Sequence, residues 1–478
     1  CGNVCGAAQA CVSGGCIDSC PSGLTECARS CVDTRTDSAH CGVCNMACDP
    51  GEGCRSGACV PSIPLGPPPA RCEGGGPPIV IHTDGADLCA DRTAAVSFTY
   101  GLCSCDAIGL PRLSSETEID AFDSRTGPYV AGAPGGGMAA NGSASTTRLT
   151  VSGQVRVAGA DGLDVTLTSI GEDLHVRHDV SGGEAILVGA DAYIGGDVMT
   201  SNLSITGRLH TPDCAAVPGG VTSASCVSQA VTVPDPCACA ASDRVPVGAI
   251  VDYYAVASHN DNATVSLDPS VLATAGGGGA RRLDLPCGYY YLDAIAGAAT
   301  IAAHGRTALF VGGDVDASAA MDFVVDPGAT LDVFVAGTLH TTASLRVGSP
   351  AYPHNVRFYI GGADASFDPP RSVYLESDVD LAGLFYAANG AVVSSSTLEM
   401  YGAVFAGSFH NSSATRIHYD AASASLGEDC PDVPTGCTSC RDCGNQACID
   451  GACGACRSNA DCCSPLTCVD GTCTVVLF

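Results

Sequence analysis

Lysine and tryptophan are absent from this chain of 478 residues, and the absence of lysine excludes several kinds of chemistry. A Schiff base, a Walker-type phosphate loop and an isopeptide cross-link all need lysine. The 21 basic residues are therefore all arginine, and 50 acidic residues outnumber them, which gives a formal net charge of −29. A surface this acidic repels nucleic acid and anionic lipid, so we expect no nucleic-acid partner.

Long apolar runs are missing as well. No stretch approaches the roughly 18 to 20 apolar residues of a membrane span, so the sequence predicts no transmembrane segment. No signal-peptide pattern precedes Cys1, and we expect any export signal to have been removed. Aromatic residues are 5% and charged residues 15% of the chain, whereas glycine (59) and proline (27) are frequent. This composition is typical of a turn-rich, mainly β protein.

Cysteine is abundant, with 32 residues, an even number that is far too large for a reducing cytosol. The sequence therefore predicts an exported protein that is secreted or held at a bacterial cell surface. The cysteines form three groups, with twelve in residues 1–59, ten from Cys72 to Cys430 and ten from Cys437 to Cys473. Each group is even, so each can close its own disulfides.

The N-terminal cysteines contain a repeat with the spacing C-x3-C-x5-C-x4-C. Two unrelated segments seldom share such a spacing, so it predicts two copies of one disulfide module. The repeat consists of Cys1, Cys5, Cys11 and Cys16, and of Cys44, Cys48, Cys54 and Cys59. As an alternative, Cys1 carries a lipid anchor, which would leave the first copy incomplete.

The C-terminal cysteines reuse the C-x4-C element, with glycine at the same position in 54–59, 448–453 and 468–473. Glycine accepts a positive φ, so the element predicts a tight hairpin whose cysteines tie it to its neighbours. The predicted knottin-like module contains Cys437, Cys440, Cys443, Cys448, Cys453, Cys456, Cys462, Cys463, Cys468 and Cys473.

An uncharged, β-forming tail follows this module and has no gatekeeping residue. Such a strand either packs against its own domain or adds to a sheet of the next subunit. We interpret it as a candidate subunit-contact strand, formed by Val475, Val476, Leu477 and Phe478.

The central part of the chain consists of short alternating segments bounded by small residues. A bulky residue recurs there at intervals of 24, 25 and 26 residues, at Phe310, Phe334, Tyr359 and Phe385. Strands that turn every few residues at this repeat length predict a β-solenoid, in which each coil pairs with the next. A β-sandwich, whose strands come about every 8 to 12 residues, is the alternative.

The predicted fold class is mainly β, with a central β-helix-like solenoid between small disulfide-rich modules at both termini. Residues 114–123 are the best candidate for a helix, although they are few and acidic. The predicted segments are disulfide repeats (1–60), a proline-rich linker (61–71), a cap or small β lobe (72–140), the β-solenoid (141–430), and the knottin-like module with its β tail (431–478).

Metal-binding patterns are weak. Cysteine pairs spaced C-x2-C, such as Cys41 and Cys44, suit zinc, but no histidine partners them and the exported setting favours disulfides. Acidic turns offer oxygen ligands for calcium, yet none matches an EF-hand, and solvated turns are favoured. These turns contain Asp314, Asp316, Asp378, Asp380 and residues 259–262. We therefore predict no cofactor, with calcium as the alternative.

Catalytic motifs of the G-x-S-x-G and H-E-x-x-H types do not occur in the sequence. A polysaccharide-degrading site on a β-helix would need carboxylates and arginine that converge from different coils, which a sequence alone does not reveal. The only dense basic spot, Arg281 and Arg282 near Asp284, is interpreted as a surface turn. We expect no enzymatic activity.

Two resemblances accompany these patterns. Residues 20–27 (CPSGLTEC) and 40–48 (HCGVCNMAC) resemble the cysteine-rich repeats of secreted and surface proteins of myxobacteria-like bacteria, over about residues 1–60. The central part is similar to the β-solenoid domain of PilX-like pilus-assembly proteins and, more loosely, to bactofilins, over about residues 140–430. This similarity is carried by 286–292 (PCGYYYL), 384–388 (LFYAA) and 401–406 (YGAVFA). The pilin N-terminal helix of that family has no counterpart in these residues.

The leading functional prediction is a non-enzymatic structural protein, a subunit of a disulfide-stabilised surface filament, fibre or layer that assembles with copies of itself. Solenoid ends carry unpaired strand edges, and cysteine modules at both termini can cap them or dock onto the next subunit. The alternatives are a monomeric surface adhesin or glycan-binding protein, and a β-helix polysaccharide-degrading enzyme.

Overall fold

The computed structural model describes residues 10–12, 15–17, 19–20, 24–83, 87–109, 116–274, 280–377, 379–427, 430, 447–449, 452–462, 467–469 and 472–474. Within them the chain is mainly β, which confirms the predicted class. Its α-helices are α1 (Ala90–Ser97), α2 (Val247–Tyr254) and α3 (Asn262–Val265). Short 3₁₀ turns lie at Ala70–Gly75, Cys214–Ala216, Pro353–Asn355, Ala421–Ser425 and Asn459–Asp461.

Most strands belong to one large sheet, which has 28 strands in the described part of the chain. The strands before it are β1 (Ala10–Val12), β2 (Gly15–Ile17), β3 (Thr25–Cys27), β4 (Ser30–Val32), β5 (Glu52–Arg55), β6 (Ala58–Pro61), β7 (Val80–Ile81) and β8 (Leu88–Cys89). Its first strands are β9 (Leu102–Ser104), β10 (Ile108–Gly109), β11 (Glu116–Phe122), β12 (Met138–Ala140), β13 (Ala144–Val151), β14 (Val155–Val157), β15 (Leu163–Ile170), β16 (Leu174–Val176), β17 (Val180–Val188), β18 (Ala192–Ile194), β19 (Leu203–Ile205), β20 (Arg208–Thr211) and β21 (Ser225–Ser228).

The remaining strands of the large sheet follow α3 in the sequence. They are β22 (Arg281–Leu285), β23 (Gly288–Leu292), β24 (Ile295–Ala296), β25 (Ala299–Ala303), β26 (Arg306–Val311), β27 (Val315–Ala317), β28 (Met321–Val325), β29 (Thr330–Val335), β30 (Leu339–Thr341), β31 (Leu345–Val347), β32 (Val356–Ile360), β33 (Arg371–Leu375), β34 (Val379–Ser394), β35 (Leu398–Asn411) and β36 (Thr415–Asp420). Two C-terminal hairpins contain β37 (Ala447–Ile449), β38 (Ala452–Gly454), β39 (Thr467–Val469) and β40 (Thr472–Thr474).

Among the described strands, every pairing within the large sheet is parallel. From β22 to β31 each strand pairs with the strand three places further along the chain. This pattern forms three ladders, which begin β22–β25–β28–β31 (ladder A), β23–β26–β29–β32 (ladder B) and β24–β27–β30–β33 (ladder C). All three ladders continue through the long strands β34 and β35.

The later part of the chain pairs back onto the earlier part. β35 pairs with β9 and β10, and β36 pairs with β11. β9 and β10 pair with the strand three places further along, and from β11 to β18 each strand pairs with the strand two places further along. β20 pairs with β21, which extends the sheet to that strand. Residues 102–122, which the sequence assigns to a cap or small lobe, therefore supply strands to the middle of the large sheet.

The helix predicted at residues 114–123 is wrong, because Glu116–Phe122 is strand β11. Thr117, Ile119 and Ala121 alternate inward in this strand and are buried. The acidic residues Glu116, Glu118 and Asp120 alternate with them on the other side of the strand, where the period of two places them.

Two apolar cores hold the large sheet. One lies between the ladders and contains residues of all three, for example Leu283 of ladder A, Tyr290 of ladder B and Ile295 of ladder C. The second lies on the outer side of ladder B, where α1, α2 and β7 cover it. Because ladder B is buried on both sides, its strands are apolar along most of their length, as in residues 308–311.

A row of stacked aromatic rings runs across ladder B in the outer core. Phe310, Phe334 and Tyr359 lie in register on successive strands, with ring centroids 5.4 and 4.7 Å apart. The row continues with Tyr386 rather than with Phe385, which the sequence interval had indicated. Neighbouring residues on a strand point to opposite sides, so Phe385 faces the inner core.

Disulfides connect these parts. The ten cysteines of the central group pair among themselves, as Cys72–Cys287, Cys89–Cys430, Cys103–Cys237, Cys105–Cys239 and Cys214–Cys226. The N-terminal module contains Cys20–Cys31, Cys27–Cys44, Cys41–Cys54 and Cys48–Cys59, and the C-terminal module contains Cys456–Cys468 and Cys462–Cys473.

The C-x4-C elements form the expected hairpins. In β5–β6, Cys54 lies opposite Cys59, and the turn between them places Ser56 and Gly57 at φ of 49° and 80°. In β1–β2, β37–β38 and β39–β40 the two cysteines of the element also lie opposite each other. The predicted residues Cys1, Cys5, Cys437, Cys440, Cys443, Cys463, Val475, Val476, Leu477 and Phe478 lie outside the described residues.

Candidate functional site

The N-terminal disulfide module covers the first strand of ladder A. The backbone N–H of Ile63 donates to the carbonyl of Arg282 on β22, at 2.7 Å. The Arg282 guanidinium donates in turn to the carbonyl of Cys54, at 2.6 Å, and to Asp284, at 2.8 Å. Arg282 is only 4% exposed, so the interpretation of this basic spot as a surface turn is wrong. The arginine instead holds the module on the edge of the sheet.

A histidine bridges two carboxylates beside this contact. The His304 ring lies 2.9 Å from the Asp284 carboxylate and 2.7 Å from that of Asp326. Hydrogen bonds to Asp284 and Asp326 raise the pKa of His304 to about 9. Burial raises the pKa of Asp284, but His304 and Arg282 outweigh burial and lower it to about 2.

We expect the stability of this end of the sheet to depend on pH. His304 has a folded-state pKa above its usual 6.5, so its contribution is complete below pH 6.5 and is lost as the pH rises through 9. The contribution of Asp284 is present above pH 3.8 and is lost as the pH falls through 2. Urea unfolding between pH 5 and 9.5 should show falling stability for the wild type and a flatter profile for His304→Gln. Equal slopes for the two proteins would contradict the assignment.

The opposite end of the large sheet carries a bare strand edge. Among the described strands, β21 pairs only with β20, and Ser225, Cys226 and Ser228 are exposed. Residues 214–234, which include β21 and which we call the uncharged end, contain no charged side chain. Natural sheet edges are usually blunted by charge or proline, so an uncharged bare edge suits pairing with another chain.

The outer side of ladder A carries a row of charged residues in register, which we call the charged row. The row crosses eight strands, with Thr300 as its one uncharged member, and an arginine and a carboxylate are neighbours at several steps. It consists of Arg282, Thr300, Asp322, Arg346, Asp380, Glu399, Arg416 and Glu118.

Two cavities lie between the charged row and the N-terminal module. The larger, about 480 Å³, is lined by Arg282, His304 and Asp326 from the sheet and by residues 31–39 of the module. The smaller, about 280 Å³, is lined by Arg346, Asp380, Glu399 and Tyr401. Arg35, Gly348 and Pro350 line both cavities, so we treat them as one feature and call it the charged groove.

A buried histidine supports the far wall of the groove. His418, 4% exposed on its side chain, lies 2.7 Å from the Asp120 carboxylate through Nδ1, while its Nε2 has no hydrogen-bond partner and lies 3.6 Å from Glu399. Burial raises the pKa of Asp120, but hydrogen bonds from His418, the Gly132 N–H and Tyr129 outweigh burial and lower it. The ionised carboxylate therefore fixes the orientation of the imidazole.

The sequence did not predict the groove, although the residues that the sheet contributes to it lie within the predicted solenoid segment (141–430). Arg346, Asp380 and Glu399 are separated in the sequence by successive intervals of 34 and 19 residues, and only the strand register brings them together. The alternation of charged and apolar residues in β31, β34 and β35 was the available signal. In the groove, two carboxylates and an arginine from three different strands come together.

The residues of the possible metal-binding patterns make other interactions in the structure. Within the described ranges, groups of three or more metal-ligating side chains occur as Cys41, Cys48 and Cys59, and as Cys456, Cys462 and Cys473. All six sulfurs are in disulfides, so they are not thiolate ligands. Two residues of the acidic turns accept hydrogen bonds within the protein: Asp314 from the Thr338 N–H, and Asp261 from that of Tyr289. Asp378 lies outside the described residues.

The fold and these sites define a disulfide-rich, mainly β protein whose large parallel sheet is capped at one end and bare at the other. Residues 246–426, fewer than half of the chain, match a family described as a domain of unknown function, DUF7305. This match begins just before α2 and extends past β36. No curated protein and no solved structure matches the chain. Among the residues that the structure describes, no helix has the length and apolar character that crossing a membrane would require.

Proposed function

We propose that ladders A, B and C are the three faces of one continuous β-solenoid. Three observations support this interpretation. The strands pair in parallel, most of them pair with the strand two or three places further along the chain, and one inner core contains residues of all three ladders. Residues 281–420 would form the coils at the capped end, and residues 102–228 would continue the stack to the uncharged end.

We further propose a non-enzymatic structural role outside the cell, as a rigid subunit of a bacterial surface assembly. Cross-links such as Cys72–Cys287 and Cys89–Cys430 tie together residues 215 and 341 positions apart, which suits a protein exposed to proteases in an oxidising exterior. The resemblance to secreted cysteine-rich repeat proteins and to pilus-associated solenoids agrees with this role and stays a prediction.

The observation that carries the assembly proposal is the bare, uncharged edge at β21. A second copy of the chain is the partner that this edge fits best, because two uncharged ends avoid the repulsion between bodies of charge −29. The N-terminal module covers the other end of the sheet through Arg282. A contact through β21 would therefore join only two copies, end to end. A filament needs a second contact between copies. The C-terminal tail, residues 475–478, stays the predicted strand for this second contact.

Adding charge to the uncharged end is expected to abolish assembly. The variant Ser225→Lys with Gln229→Lys places two cations on exposed positions of the bare edge. Light scattering coupled to size exclusion should give the wild type at least twice the monomer mass, increasing with salt as repulsion is screened, and the variant as a monomer.

The matched control is Thr150→Lys with Ser169→Lys, which adds the same charge to exposed positions in the body of ladder A. It should assemble like the wild type. A wild type that is monomeric at high protein and salt concentration, or a Ser225/Gln229 variant that still assembles, would overturn the proposal.

A further inference from the structure

We propose that the charged groove is a binding site for a neutral, linear oligosaccharide. Three successive residues of the charged row, Arg346, Asp380 and Glu399, line the smaller cavity. Because they lie in register on neighbouring strands, their polar groups repeat at the strand spacing of about 4.8 Å. A regular row of this kind presents hydrogen-bonding groups to successive units of a linear polymer. The groove lies on the flank of the sheet, away from β21, and the inference does not depend on assembly.

The charge balance of the smaller cavity favours a neutral ligand. Its lining contains two arginines, Arg35 and Arg346, and two carboxylates, Asp380 and Glu399. An acidic saccharide would meet both carboxylates and the net charge of −29 of the whole chain. A sugar hydroxyl can donate to a carboxylate and accept from a guanidinium, so neutral hydroxyl groups match such a mixed lining.

Polar atoms without hydrogen-bond partners point to an occupant. Arg346 Nε and Nη1 are buried and make no hydrogen bond, since Asp380 and Asp322 lie 3.7 and 3.6 Å away. His418 Nε2, on a side chain that is 96% buried, is also without a partner and faces Glu399. Buried donors of this kind are normally satisfied by protein, water or ligand. Arg346 lines the smaller cavity, and His418 lies next to Glu399, which lines the same cavity.

An aromatic ring provides the apolar part of the site. Tyr401 lines the smaller cavity and is half-buried. Its ring contacts those of Tyr129 and His418, with centroids 5.5 and 4.8 Å away, so its orientation is fixed before a ligand arrives. A fixed ring can stack on the apolar face of a pyranose, while the charged groups bind the hydroxyls at its edge.

Isothermal titration of the purified full chain with defined hexasaccharides tests the inference. The probes are cellohexaose and hexa-N-acetylchitohexaose, which are neutral, and hexagalacturonate, which is acidic. We expect at least one neutral probe to bind and the acidic probe to bind at least about tenfold more weakly. Failure of both neutral probes to bind at millimolar concentration, or tighter binding of the acidic probe, would overturn the proposal.

Three variants locate the binding. Glu399→Gln and Tyr401→Ala should each weaken binding of the neutral probe about tenfold or more, because each removes a direct contact. Asp380→Asn should weaken it less, and this position is 76% exposed on its side chain, so the variant keeps the fold. The control Glu184→Gln lies on an exposed position of β17 and should bind like the wild type. Unchanged affinity in all three groove variants would contradict the site.

Discussion

Removing both disulfides that join residues 103–105 to residues 237–239 is expected to destabilise the protein by about 4 kcal/mol. Cys103–Cys237 and Cys105–Cys239 each close a loop of 134 residues, the segment that contains β10 to β21. Cross-links over loops this long restrict the unfolded chain strongly. Because the second disulfide closes almost the same loop, either one alone should retain most of the effect.

The measurement is denaturant unfolding of Cys103→Ala/Cys237→Ala, of Cys105→Ala/Cys239→Ala and of the fourfold variant. Each double variant should lose about 1 kcal/mol, and the fourfold variant clearly more than their sum. Alanine suits Cys103 and Cys237, which are both 2% exposed. Additive losses would show that the two bridges restrict the unfolded chain independently, in conflict with the structure.

Replacing Arg357 by methionine is expected to cost about 3 to 5 kcal/mol. Arg357 donates two hydrogen bonds to Asp332, of 2.6 and 2.8 Å, and a third to Asp91 on α1. Arg357 and Asp332 are 1% and 0% exposed, beneath the outer core of ladder B. Without the arginine, the Asp332 carboxylate would be buried with no opposite charge, which is more costly than losing the pair as a whole.

The pH dependence and a second substitution distinguish this cause from a loss of packing. Burial already raises the pKa of Asp332 to about 6, against the lowering effect of Arg357. In Arg357→Met the pKa should rise further, so the loss of stability should be smaller at pH 5 than at pH 8.

Adding Asp332→Leu should restore much of the loss, since an apolar pair can replace a buried ion pair. Arg416→Met, whose side chain is 41% exposed, is the control and should cost less than about 1 kcal/mol. A loss in Arg357→Met that is independent of pH and unaffected by Asp332→Leu would contradict the assignment.

Several local features of this protein could be predicted from the sequence. The C-x4-C spacing with glycine predicted the hairpins, because a positive φ at Gly57 is a property of that residue and its turn. The bulky residues Phe310, Phe334 and Tyr359 were identified by their interval, and they do lie in one row.

The long-range features could not be predicted in the same way. Arg282 was interpreted as a turn residue, since nothing local reveals that the N-terminal module lies over it. The pairing of β35 with β9 joins residues about 300 positions apart, and the charged groove exists only through the register of ladder A. One local signal was overlooked: Asp332 and Arg357 are single charges within apolar strands, which indicates a buried pair.

Cryo-electron microscopy of the purified, oxidised chain at high salt tests the central claim most directly. The account predicts rods in which parallel coils run from the N-terminal module to β21, and in which two copies meet through residues 214–234. Particles of single copies, or copies that meet through the Arg282 end while β21 faces solvent, would contradict it.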